Sequence, residues 1–189
     1  MTQPTDRESS SLRKWGREWR IGTAADVTWI QDSTRSGLEI TSAIPPVFEA
    51  YATIVVPEQN HALPVVRHLR EHSRGRKWWL GFLETGASDV VFPEAPRVKL
   101  YADWSYVLVL AGPDEALTWR GDRSDFHGRG PDLIFPTDHS WLLSWLWDDD
   151  WYCLGGSEHL IKSFLSLPDL EVRRVSLDED ATPPGHQAY

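Results

Sequence analysis

The chain has 189 residues, 41% of them hydrophobic and 12% aromatic, and carries a net charge of −9. That length suits one domain with a sizeable core, the aromatic content excludes disorder for most of it, and the negative charge disfavours nucleic acid and anionic membranes as partners. No apolar run reaches the ~20 residues of a membrane span, no secretory signal is visible after Met1, and the single Cys153 cannot form an internal disulfide, so a reducing cytoplasm is the expected compartment.

Residues 1–11 are polar and Ser-rich and read as a flexible tail; residues 12–177 read as one domain, and residues 178–189 as a looser C-terminal tail. Trp15 and Trp19 lie four apart beside Arg13, Lys14, Arg17 and Arg20, a spacing that on a helix stacks the two rings. Residues 25–30 fit helix or strand. Residues 38–41 alternate like a strand. Pro45 and Pro46 open residues 47–56, whose start suits a helix and whose β-branched end suits a strand. Residues 62–73 predict an amphipathic helix with Ala62, Val65, Val66 and Leu69 on one side.

From Lys77 onward the pattern turns to strands, at 78–83, 89–93, 98–101, 106–112, 133–136 and 141–154. Gly155 and Gly156 read as a turn. Ser157 is a good N-cap for a helix to about residue 167, with Leu160, Ile161, Phe164 and Leu167 at core spacing and Pro168 as its stop. Residues 172–175 suit an edge strand. Strands joined by short turns predict an α+β fold: a single domain, mainly antiparallel sheet, with two or three helices packed on one face.

The stretch 141–151 carries the strongest chemical signal, with Trp141, Trp145, Trp147 and Trp151 around Asp148, Asp149 and Asp150. Trp is the largest apolar side chain, whereas carboxylates are seldom buried unpaired. Three readings are open. As a hairpin, the aspartates form its tip, with 145–147 and 151–153 as arms. As a surface, Trp145, Trp147, Asp148, Asp149, Asp150 and Trp151 make an acidic, aromatic binding patch. As one continuous strand, Asp148 and Asp150 share a face and could hold a hard cation.

His68-Leu69-Arg70-Glu71-His72 matches the H-x-x-E-H spacing of inverted zinc proteases, but the helical wheel puts His68 and Glu71 opposite Val66 and Leu69, on a solvated face. There is no G-x-S-x-G elbow, no P-loop and no G-x-G-x-x-G, so neither a serine nucleophile nor a nucleotide cofactor is expected. Gly155-Gly156-Ser157 could offer amides to an anion, but Glu158 follows at once and a turn with an N-cap accounts for the residues. Cys153 reads as a small buried hydrophobe.

Residues 43–53 (AIPPVFEAYAT), 79–86 (WLGFLETG), 91–98 (VFPEAPRV), 147–151 (WDDDW) and 155–157 (GGS) together resemble a family of uncharacterised actinobacterial proteins over about 19–185, from which no catalytic residue carries over. Residues 135–157 and the helix beyond are also similar to SUKH-type immunity and regulatory proteins, which implies an α+β binding protein without enzymatic activity. The expectation is therefore a cytoplasmic binding or regulatory protein, immunity-like in one form. It would meet a basic protein partner through the acidic Trp-rich patch, with no cofactor, metal or catalytic residue. The opposing expectation is a metal-dependent hydrolase using His68, Glu71 and His72, or Asp148 and Asp150.

Overall fold

The computed structural model describes residues 11–14, 16–55, 63–85, 90–119, 130–146 and 151–188. They form an α+β fold dominated by its sheet. The strands are β1 (Ser11–Lys14), β2 (Arg17–Ile21), β3 (Ala50–Val55), β4 (Trp78–Leu83), β5 (Val98–Leu100), β6 (Trp104–Ala111), β7 (Leu133–Pro136), β8 (Leu142–Ser144), β9 (Trp151–Gly156) and β10 (Glu171–Val175). Their order is β1-β2-β6-β4-β7-β8-β9-β3-β10, with β5 added to β6, and every pairing is antiparallel. Among the described residues four helices accompany the sheet: α1 (Ala24–Gln31), α2 (Leu63–His72), α3 (Pro113–Thr118) and α4 (Glu158–Leu165).

The helices pack on both faces rather than one, and the sequences of the strands show why. Segments such as Trp78–Leu83 and Trp151–Gly156 lack the polar alternate residues of a sheet with one wet face, and all or nearly all of their residues are buried. On the first face Ala52, Ile54, Leu80, Phe82, Val107, Val109 and Leu154 meet Val65, Val66 and Leu69 of α2, and Leu160, Ile161 and Phe164 of α4. On the second, Tyr51, Trp79, Tyr106, Leu108, Phe135, Leu142 and Cys153 meet Val27 and Ile30 of α1, the turn carrying Ile40 and Ile44, and Ala181. Each fully buried aliphatic or Phe side chain contributes about 1.5–3 kcal/mol.

Several local expectations change with this architecture. Residues 25–30 lie in a helix, whose start is held by Asp26: its carboxylate accepts the Thr23 backbone N–H at 2.8 Å and the Thr23 hydroxyl at 3.0 Å. Residues 38–41 are not a regular strand. Glu39 makes a single bridge to Asp180, and Ile40–Ser42 form a short 3-10 turn. Val91 and Phe92 are buried but outside any strand, with Phe92 at φ 63° breaking the extended run. Trp19 sits on β2, across a hairpin turned by Gly16 at φ 72°, instead of on a helix; Trp15 lies outside the described residues. Within residues 178–188, which are largely exposed, Ala181 is fully buried and donates its N–H to Leu38 O at 2.7 Å. No helix among the described residues is long and apolar enough to cross a membrane.

Gly155 and Gly156 belong to β9 and do not turn the chain. What they supply is closeness. A Cβ on Gly155 would come within 2.5 Å of both Ile44 Cγ2 and Phe48 Cδ2, atoms of the second layer. Gly155→Ala is therefore expected to lower stability by about 1–3 kcal/mol, as overpacking does. Urea denaturation checks this, and an unchanged midpoint would show that the second layer is not closed over β9.

Candidate functional site

Tryptophans anchor the acidic stretch. Leu142, Leu143 and Ser144 pair with Gly155, Leu154 and Cys153, so β8 and β9 form a hairpin and residues 145–150 connect its arms. Trp145 is 7% exposed, packed edge-on to Tyr152 with ring centres 5.1 Å apart on the α2/α4 face. Trp151 is 2% exposed and belongs to the opposite layer. Both flanks of the connection are thus core residues. Trp147, Asp148, Asp149 and Asp150 lie outside the described residues.

The other end of the sheet carries the cleft. There α2 leads into β4, the 137–141 loop joins β7 to β8, and β9 leads into α4. Between them is a cleft of about 520 Å³, lined by Glu71, His72, Arg74 and Arg76 from the first segment, Asp138, Ser140 and Trp141 from the second, and Ser157, His159 and Leu160 from the third. That volume lies in the range of small-molecule sites. Two of its walls carry non-glycine residues in the left-handed region, Arg74 at φ 49° and His139 at φ 55°. Such conformations cost about 1–3 kcal/mol and recur at functional sites.

Each wall has an identifiable brace. Asp138 accepts Arg76 Nε at 3.0 Å, the Ser140 hydroxyl at 2.9 Å and the Ser140 backbone N–H at 3.3 Å. His139, next in the loop, turns to the opposite face and stacks on Trp29 with ring centres 4.6 Å apart. Trp141 is 2% exposed, set edge-on against Trp78 at 5.1 Å. Ser157 caps α4 by accepting the Leu160 N–H at 3.2 Å, and Glu49 accepts the Glu158 N–H at 2.9 Å. Arg174 grips Glu158 through two bonds of 2.7 and 2.6 Å, which hold that carboxyl down to about 2.

Of the H-x-x-E-H histidines, His72 lines the cleft and His68 stands behind it, and together they clasp α2 to α4. His68 Nε2 lies 2.7 Å from Ser163 Oγ, and His72 Nε2 lies 3.3 Å from the same atom. His72 Nδ1 donates to His68 O at 3.0 Å, and the Ser163 hydroxyl donates to Leu160 O at 2.7 Å. In neutral His72 the Nε2 is then bare, so the single hydroxyl proton is shared between it and Leu160 O, and His68 Nε2–H donates into Oγ. Far from facing water as the wheel suggested, the His68 side chain is 14% exposed and packs edge-on against Phe164 at 4.5 Å. Glu71 stays 75% exposed and 3.9 Å from His68 Nδ1. The imidazoles thus meet at a hydroxyl, and among the described residues no three His, Cys, Asp or Glu come together to hold a metal ion.

Cys153 is buried, and burial pushes its thiol far above the usual range. Nearby, the Tyr101 hydroxyl bonds Ala43 O at 3.0 Å and shares a proton with Ser144 Oγ at 2.9 Å. Sequence reasoning missed Arg74, Arg76, Asp138, Ser140, His159 and Ser163. The Asp-x-Ser of residues 138–140 was a legible turn signal; the others are scattered, and only the sheet brings them together. No protein-family model, curated protein or solved structure matches the chain.

Burial, and secondly the neighbouring His72, hold His68 below its ordinary pKa of 6.5, against the pull of Glu71. Folded His68 then binds fewer protons than unfolded His68. Its contribution is complete above about pH 6.5 and is lost progressively as pH falls from there through the lower folded value. The urea midpoint is expected to drop between pH 7.5 and pH 5.5, and less steeply in His68→Gln. Parallel slopes in the two proteins would show that the clasp does not titrate.

Proposed function

We propose that this protein is a binding or regulatory module that receives its ligand in the cleft between α2, the 137–141 loop and α4. The observation that carries this reading is the convergence of polar groups from three separate segments on a cavity of about 520 Å³, beside a sheet whose two faces are otherwise spent on packing. Trp141 and Leu160 give it apolar wall, while Arg74, Ser157 and His159 give it polar rim, the usual division of a ligand site. A metal-dependent hydrolase has less support, because His68 and His72 are committed to Ser163 and Glu71 does not converge with them.

A second reading places a basic protein partner on the hairpin at the opposite end, in an immunity-like role. It is favoured by the burial of Trp145 and Trp151 on either side of three consecutive aspartates in a chain of charge −9. Anchored, concentrated charge steers oppositely charged partners.

The two readings separate by experiment. Small probes of differing charge are expected to shift the side-chain NMR signals of Trp141, His72 and His159, with no turnover of the probe. Shifts confined to other regions would remove the cleft reading. Replacing Asp148, Asp149 and Asp150 together by Asn is expected to leave those shifts unchanged; it would abolish capture of a basic partner if the hairpin is the contact.

A further inference from the structure

Resting on the cleft as the binding site, we propose that its ligand carries an oxyanion, a phosphate or chemically similar group, held by Arg74, Ser157 and His159. The argument is an accounting of donors and acceptors around the cavity. The lining contains two carboxylates. Asp138 is engaged, one oxygen taking both bonds from Ser140 and the other taking Arg76. Glu71 stays 75% exposed at the margin of the cleft.

Donors are in surplus. Arg74 enters no ion pair among the described residues, and its guanidinium has five N–H groups. Ser157 accepts the Leu160 N–H, which leaves its own hydroxyl proton to give. His159 is exposed, and its ring lies 5.7 Å from the His72 ring. Trp141 contributes apolar wall rather than a donor, because its indole N–H is buried away from the surface. Donors from two segments facing one cavity fit a ligand that brings acceptors alone, and a phosphate-like oxyanion is that ligand. Ser157 and His159 also place it at the start of α4, where backbone dipoles favour negative charge, and the Glu158 carboxylate that would oppose an anion there is paired with Arg174. Trp141 and Leu160 leave an apolar wall for the body of an organic ester.

The test is a titration with phenyl phosphate at constant pH and ionic strength, followed by NMR signals of Trp141, His159 and Arg74, with inorganic phosphate and benzyl alcohol in parallel. Saturable shifts with phenyl phosphate are expected, weakened about fivefold or more in Arg74→Ala and in His159→Ala. Both replaced residues are exposed, so the variants are expected to keep the wild-type urea midpoint. Tighter binding of phenyl phosphate than of inorganic phosphate assigns an organic ester, and equal binding assigns the free ion; either supports the oxyanion. Benzyl alcohol binding as well as phenyl phosphate, or unchanged affinity in both variants, overturns it while leaving the cleft as a binding site. Absence of any shift at these residues with every probe overturns both.

Discussion

An antiparallel sheet buried on both faces is the constraint from which everything else in this protein follows. Strands such as Trp78–Leu83 and Leu133–Pro136 are apolar at successive positions, so neither face can be left to water. One layer is built from α2, α3 and α4, and the other from α1, the turn at Ile40–Ser42, β5 and the segment around Ala181. With both faces of the central strands spent, polar function is left with the strand ends and with the outer strands β1, β2 and β10, which stay largely exposed. The cleft occupies one end, where Pro136, Leu142 and Gly156 hand over to loops and a helix. Trp145 and Trp151, which flank the aspartates in the chain, lie toward the other.

The cleft's polarity has the same origin. Three chain segments meet there, and many of their polar groups are already paired: Asp138 with Arg76 and Ser140, the Ser157 hydroxyl oxygen with the Leu160 N–H, the Glu158 carboxylate with Arg174 and the Glu158 N–H with Glu49. Behind it, Ser163 and the two imidazoles of α2 fix the distance between the helices that form two of the walls. A rigid frame with residual donors differs from an open surface, because its groups are ordered before any ligand arrives.

Much of the fold was legible in the sequence. The strand at 78–83 and the strand at 133–136 stand where the apolar runs put them, and α2 and α4 differ from their expected ends by one or two residues. Two-sided burial was written in those same runs, since they lack polar alternation, yet they were weighed as strands rather than as evidence for a second layer. The β1–β2 hairpin was hidden because Trp15 and Trp19 fit a helical spacing equally well, and only Gly16 marked the turn. The site was harder. Tryptophan and aspartate at 145–151 stood out by composition, but Trp145 and Trp151 owe their prominence to packing. His159, Arg74 and Ser163 have no local pattern at all, and become neighbours only through strand order.

The burial of Cys153 gives the protein a chemical clock. Only the thiolate attacks alkylating reagents, and this sulfur is both enclosed at the middle of β9 and held protonated. Its side chain lies in the second layer, so a reagent reaches it only when that layer lifts from β9. As the sole cysteine of the chain, it makes the speed of alkylation a direct count of how often the second face of the sheet is uncovered.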